Sequence, residues 1–233
     1  MTASRRLRLH HELLLLALHD KKGTLAFGQM QHIGLAGGLF AELLLAKRIA
    51  IVEEQRWKRT KEVVEVVARG GLGEGVMDAG LRKLADARRR ASPKATVGRL
   101  GAIRGLRHDV GRELARMGVL RATQEDLLLF FKRRIYPTVD PGPERALITR
   151  IRDALEGDGT PDDRTILLVT LAHGTRTLRA LYARKELKAL KPRIEEMAAR
   201  AGTAGDAVGA AIQAAQAATM AAITASTVAS SGG

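Results

Sequence analysis

The stretch Val97-Gly98-Arg99-Leu100-Gly101-Ala102-Ile103-Arg104-Gly105-Leu106-Arg107-His108-Asp109-Val110-Gly111-Arg112-Glu113-Leu114-Ala115-Arg116-Met117 places Leu100, Ile103, Leu106, Val110, Leu114 and Met117 at steps of three and four residues. Such steps gather side chains on one side of an α-helix, so the spacing predicts a helix over 97–117 with one buried stripe. Gly118 supplies its stop, because glycine adopts the left-handed conformation that ends helices. Arg104 and Arg107 fall beside the stripe and not within it.

Working outward, the same period continues. Residues 8–19 are nearly continuously apolar and close at Lys22-Gly23, and 35–45 form a second apolar helix ending at Lys47-Arg48, where cations suit the helix dipole. Ile49 to Val52 and the β-branched run Val63 to Val67 read as paired short strands. A flexible turn at 70–73 precedes a basic helix over 77–90, and Ser92-Pro93 starts the next. Beyond Gly118, the apolar runs 127–131 and 135–136 flank Lys132-Arg133-Arg134 as a hairpin. Pro141-Gly142-Pro143-Glu144 opens a helix to about 155, a helical pattern over 164–190 breaks near Gly174, and Pro192 starts another. The expected fold is mainly α: a single globular helical domain with one or two small β-hairpins. It occupies residues 1–200, and an Ala-rich C-terminal segment, 201–233, is partly helical and then disordered. That segment holds thirteen Ala and one charge, yet Val208, Ile212, Ala215, Thr219 and Ile223 could still pack along one helix face.

The chain has 233 residues, enough for one core without staples. It has no cysteine, so disulfides, thiolate metal sites and a thiol nucleophile are excluded, and a cytoplasmic setting fits. The N-terminal apolar run 13–18 is too short for a signal peptide and lacks a small-residue cleavage site. Residues 207–229 are uncharged but too weakly apolar to span a bilayer. Association with a membrane would therefore be peripheral. A net charge of +14 predicts attraction to polyanions, while 3% aromatic content leaves few stacking platforms for single-stranded nucleic acid.

Three features could carry function. From Arg82 to Arg116, eleven Lys or Arg stand against three Asp or Glu; near an anionic surface each cation contributes about 1 kcal/mol. Arg104 and Arg107, three apart on the expected helix, would point the same way and share one phosphate through their planar donor forks, with Arg99 and Arg112 adding to the field. Leu129, Phe130 and Phe131 followed by Lys132, Arg133 and Arg134 have the layout of an interfacial insertion element, apolar groups in the acyl boundary and cations at the head groups.

Several segments together, in order, resemble the Golgi phosphoprotein 3-like family. Glu12-Leu13-Leu14-Leu15-Leu16-Ala17-Leu18-His19-Asp20-Lys21-Lys22-Gly23 looks like its opening helix and turn, and Gly34-Leu35-Ala36-Gly37-Gly38 leading to Ala41-Glu42-Leu43 and Arg48-Ile49 like its second helix and strand. Ile103-Arg104-Gly105-Leu106-Arg107 running to Met117-Gly118-Val119-Leu120 resembles its phosphoinositide-pocket helix, Leu128-Leu129-Phe130 with Tyr136-Pro137 its hairpin, and Leu171-Ala172-His173 a late helix. The resemblance spans about residues 11–225. It implies a mostly helical domain that binds phosphatidylinositol 4-phosphate on cytosolic membrane faces; eukaryotic relatives act at the Golgi and contact cytosolic tails of partner proteins. Arg104 and Arg107 match the family's Arg pair. Its pocket Trp falls near Phe27 or Gly28 and its third Arg on Ala36, so Phe27 and Ala36 are the residues that would wall the pocket here. The Arg-, Ala- and Gly-heavy composition has a prokaryotic look.

Catalysis is not expected. His10-His11-Glu12 lacks the second His of an HExxH zinc helix, and no nucleophile elbow, P-loop or dinucleotide fingerprint occurs. His19-Asp20 and His108-Asp109 are sequence neighbours that diverge on a helix, and His173 reads as a hydrogen-bonded core histidine. No metal and no cofactor are implied. A winged-helix protein is the rival reading, but residues 98–116 offer no Asn, Gln or Ser to base edges, which makes nucleic acid an improbable partner. A third reading is a protein-interaction scaffold that ignores lipid. The partner favoured is an anionic phospholipid or phosphoinositide.

Overall fold

The computed structural model of the chain describes residues 7–18, 23–24, 30–56, 59–73, 75–128, 131–200 and 207–231. Its first helix, α1 (Leu9–Ala17), buries all nine residues, His10, His11 and Glu12 among them. α2 (Gln31–Leu45) is likewise enclosed on nearly every side. A helix apolar all round belongs inside a protein, and these two form the centre on which the other helices pack. Their close approach needs small residues. A Cβ on Gly38 would stand 2.9 Å from the His10 backbone nitrogen, and one on Gly37 would collide with Thr219 Oγ1.

β1 (Ile49–Arg56) and β2 (Arg59–Val66) form an antiparallel hairpin in the register Ile49↔Val66 to Arg56↔Arg59. α3 (Gly75–Ala85) ends five residues before the sequence pattern suggested, and Ala87 to Ala91 form a connection held to β2 by Val64 N donating to Ala91 O at 2.8 Å. The expected helix over 97–117 is two: α4 (Pro93–Gly101), capped by Ser92 Oγ accepting from Ala95 N, and α5 (Leu106–Arg116). Between them Gly105 takes φ +77°. Leu100, Leu106, Val110 and Leu114 are buried as the stripe predicts; α4 packs on α2, α3 and the C-terminal helix (Ala207–Ser231), and α5 on α1, α2 and α3. The left-handed conformation at Gly105 breaks the helix, and α4 reaches the C-terminal helix while α5 reaches α1.

β3 (Thr123–Leu128) and β4 (Phe131–Ile135) make the second hairpin. The expected placement of Lys132-Arg133-Arg134 at its turn is corrected. The pair Leu128↔Phe131 puts the connection at 129–130, so the three cations lie along β4, opposite Asp126, Glu125 and Gln124. Opposite charges at facing positions favour such pairing.

α6 (Gly142–Glu156) and α7 (Asp163–Gly174) follow, then a short 3-10 turn (Thr177–Ala180) after the break near Gly174. α8 (Arg184–Arg200) contains Pro192 instead of starting there. Its only buried residues are Ile194 and Met197, so the Lys188 carbonyl that Pro192 leaves without a donor lies on an exposed stretch that water can reach. α9 (Ala207–Ser231) takes up most of the Ala-rich segment and packs against α2, α4 and α7. Ile212, Ala215, Thr219 and Ile223 of the expected stripe are buried, with Ala218 and Ala222 beside them. The fold is mainly α, and its strands, among the described residues, form two small antiparallel hairpins.

Candidate functional site

The turn between α4 and α5 gathers the basic residues of most interest. Gly105 is the N-cap of α5 and brings no side-chain cap; Leu106 N donates to Ile103 O at 3.2 Å and His108 N to Gly105 O at 2.7 Å, so the turn is closed by its own backbone. The positive end of the helix dipole favours an anion there. Arg104 stands one residue before the cap, exposed, and Arg107 lies in the first turn of α5. A cation there opposes the dipole, so two arginines at this end make electrostatic sense when a negative group joins them.

Below the turn, Arg107 is tied into a short chain of hydrogen bonds. Its Nη2 donates to His108 Nε2 at 3.2 Å. Because guanidinium only donates, the His108 proton sits on Nδ1, which meets Tyr136 Oη at 3.2 Å, and the Tyr136 hydroxyl donates to the His108 carbonyl at 3.2 Å. Partial burial, then the nearby charges of Arg107, Arg134 and Arg112, lowers the His108 pKa. Burial raises Tyr136 against the pull of the same three arginines. Arg107 and Arg112 from α5 and Arg134 from β4 thus converge on one pair of rings. The Tyr136 ring lies so close to α5 that a Cβ on Gly111 would be 2.7 Å from it.

The remaining expected residues scatter. Arg112 also pairs with Asp109 on its own helix. Arg99 points elsewhere, with Nη1 donating to Arg89 O at 2.8 Å. Arg104 and Arg107 keep their three-residue spacing but do not share a helix, which corrects the premise that aligned them. Ala36 is fully buried in the core beside Gly101, whose added Cβ would lie 3.6 Å from it; it walls no open pocket. Phe27, Leu129 and Phe130 lie outside the described residues, and of Phe131, Lys132 and Arg133 only the backbone is described. Arg134 is exposed at the base of the hairpin. His173 is half-buried, its pKa lowered by burial and then by Lys191.

Buried charge is what the sequence reading passed over. Glu42, inside an apolar helix, accepts from Leu9 N at 2.8 Å, Arg164 Nη2 at 2.7 Å and Arg8 Nη1 at 3.1 Å. Burial would raise its carboxyl, but Arg164 and the Leu9 amide outweigh it and the pKa falls. Glu12 accepts from Arg150 at 2.9 Å, yet burial still holds its pKa up. An acid inside each apolar run was the available signal. His10, His11 and Glu113 also meet, with ligand atoms within 4.8 Å of one another. His11 Nδ1 accepts from Arg8 N at 3.1 Å, so its Nε2 carries the proton and donates to Glu113 Oε2 at 2.9 Å. Glu113 Oε1 accepts from Val76 N at 2.7 Å. This order commits both His11 nitrogens, so the trio reads as a clamp joining α1, α3 and α5, ill-suited to a metal ion. Burial depresses His10 to about 4.

None of the described helices is long and apolar enough to cross a membrane. Residues 9–219 match the family model described as Golgi phosphoprotein 3 (GPP34). Among curated proteins the chain is similar to Vacuolar protein sorting-associated protein 74 of Eremothecium gossypii, 25% identical over 209 residues, covering 76% of this chain and 62% of that protein. The chain therefore spans less than two thirds of the relative's length.

Proposed function

Because the chain belongs to the Golgi phosphoprotein 3 (GPP34) family, we propose that it is a peripheral membrane-binding protein, and no catalyst, that grips the phosphate of anionic phospholipid head groups resembling phosphatidylinositol 4-phosphate. The observation that carries this reading is the uncapped N-terminus of α5 flanked by Arg104 and Arg107. The helix dipole and two guanidinium forks favour the same kind of ligand. Arg112 and Arg134 add field around His108 and Tyr136, and the β3–β4 connection at 129–130 carries Leu129 and Phe130 as the apolar group for the interface. A cytosolic membrane face and protein tails as additional partners belong to the same proposal.

The test is co-sedimentation with phosphatidylcholine vesicles, alone, with phosphatidylserine, or with phosphatidylinositol 4-phosphate, each repeated with duplex DNA as competitor. The expected outcome is binding to the phosphoinositide vesicles that falls at least tenfold in R104A/R107A, as two cations at about 1 kcal/mol each require. Equal binding by wild type and R104A/R107A sinks the clamp. Binding to DNA without binding to any vesicle sinks the membrane reading.

A further inference from the structure

A second basic recess lies apart from the Arg104 turn. The end of β2, the α3–α4 connection and the outer side of α4 enclose a concavity of about 240 Å³ whose wall carries Arg69, Arg88, Arg89, Arg90 and Arg99. Its one carboxylate, Glu65, is taken by Arg90. Arg69, Arg88, Arg89 and Arg99 therefore line one recess whose own wall leaves them no carboxylate, while Glu54 and Glu62 border the neighbouring concavity that Arg88 and Arg89 also reach. Cations crowded in this way repel one another until an anion enters.

The recess is built and not an incidental crowding of surface arginines. The connection that carries Arg88 to Arg90 is fixed at three points: Val64 N to Ala91 O at 2.8 Å, Arg99 Nη1 to Arg89 O at 2.8 Å, and the Arg90–Glu65 pair. Thr96, 1% exposed, also lines the recess, and none of the described residues hydrogen-bonds its hydroxyl. Arg69, Arg88 and Arg89 are exposed and form no ion pair with the described residues, so their forks are free to rotate inward. The volume lies below that of sites for drug-sized ligands, and the wall offers only donors in number. Both facts select a compact, multiply charged acceptor.

We propose that this recess is a second anion site that binds a small phosphate ester, with Arg88, Arg89 and Arg69 as the fork donors, Arg99 holding the connection in place and Thr96 donating a hydroxyl. It is independent of the clamp at Arg104 and Arg107. The phosphate could be part of a lipid head group or of a soluble ester, and the shared chemistry is what the site reads.

The experiment titrates the full chain with inorganic pyrophosphate by calorimetry at about 150 mM salt, where screening beyond about 8 Å removes diffuse attraction. R104A/R107A should retain saturable pyrophosphate binding, and adding R88A/R89A to that variant should weaken it at least tenfold. R88K/R89K, which keeps the charge and loses the fork, should fall between. Both replaced side chains are exposed, and unchanged thermal unfolding of each variant confirms an intact fold. Binding to R104A/R107A that is unaltered when R88A/R89A is added overturns the proposal, as does absence of saturable binding to R104A/R107A. Phosphatidylcholine vesicles containing phosphatidic acid then identify the source. Loss of vesicle binding by R88A/R89A assigns a head group, and unchanged vesicle binding beside lost pyrophosphate binding assigns a soluble ester. Failure of the clamp at Arg104 and Arg107 is read separately, from the phosphoinositide vesicles.

Discussion

At Gly111 a single missing atom decides whether the site can form. The Tyr136 ring occupies the space a side chain would need, at 2.7 Å from the added Cβ, and its hydroxyl is held by His108 on the same helix. Gly111→Ala must push the ring outward or break those bonds, so a loss of about 1–3 kcal/mol is expected in urea unfolding; a change under about 0.5 kcal/mol would mean that the ring moves freely. Glu42 shows the opposite case, a side chain whose removal strands its neighbours. Glu42→Ala leaves the Leu9 amide without its acceptor and takes from the Arg164 guanidinium its close carboxylate, with only the Leu7 carbonyl and the more distant Glu12 left to it, and about 3–5 kcal/mol of stability should go with it. At this scale the sequence was partly legible. Arg104 and Arg107 were conspicuous because basic side chains crowd that stretch, whereas Glu42, Glu12 and Glu113 were not, because their partners Arg164, Arg150 and His11 lie over a hundred residues away.

Between α4 and α5, the apolar spacing carried on through a break that it gave no sign of. Ile103 follows Leu100 by three residues and precedes Leu106 by three, which fits a turn as well as a helix, so periodicity alone could not separate one helix from two. The mark of the break was Gly105, at φ +77°. An added Cβ there meets nothing within 4 Å, so Gly105→Ala is opposed by backbone conformation alone, at about 1–2 kcal/mol. That cost should appear in stability. It should also weaken binding to phosphoinositide vesicles, because Arg104 and Arg107 are aimed from the two sides of this residue. Gly105→Asn, which tolerates the left-handed region, should recover part of both. If Gly105→Ala lowers stability while vesicle binding is untouched, the turn does not aim the arginines. The second hairpin was legible as a hairpin but not in register. Counting apolar runs placed its cations at the tip, and the cross-strand alternation of acids and bases, Asp126 with Lys132 and Glu125 with Arg133, was the better guide.

For the molecule as a whole, the enclosed helix α1 makes folding sensitive to acid. His10 is 0% exposed, its ring nitrogens have no hydrogen-bond partner, and its Nε2 lies 3.8 Å from Glu113 Oε2, too far to bond. Burial foremost, with His11 beside it, depresses its pKa from 6.5 to about 4. The unfolded chain therefore takes up a proton on this residue through a range where the folded chain refuses it. Stability is fully present above about pH 6.5 and drains away as pH falls toward 4. Between pH 7 and pH 5 this one histidine should remove about 2 kcal/mol, from the usual 1.4 kcal/mol per unit. Below the ordinary carboxylate range the loss continues. Burial would raise Glu113, but the imidazoles of His10 and His11 and the Val76 amide hold it down, and Glu42 is also lowered. Glu12 works the other way, since burial raises it and protonation relieves that strain. Urea midpoints measured at pH 7 and pH 5 test the sign. Wild type should lose stability over that interval, and His10→Leu, which removes both the titration and the orphaned nitrogens at similar size, should lose about 2 kcal/mol less. A wild-type curve that stays flat from pH 7 to pH 5, or a His10→Leu curve parallel to it, would show that His10 takes its proton inside the folded core and that α1 is open to water.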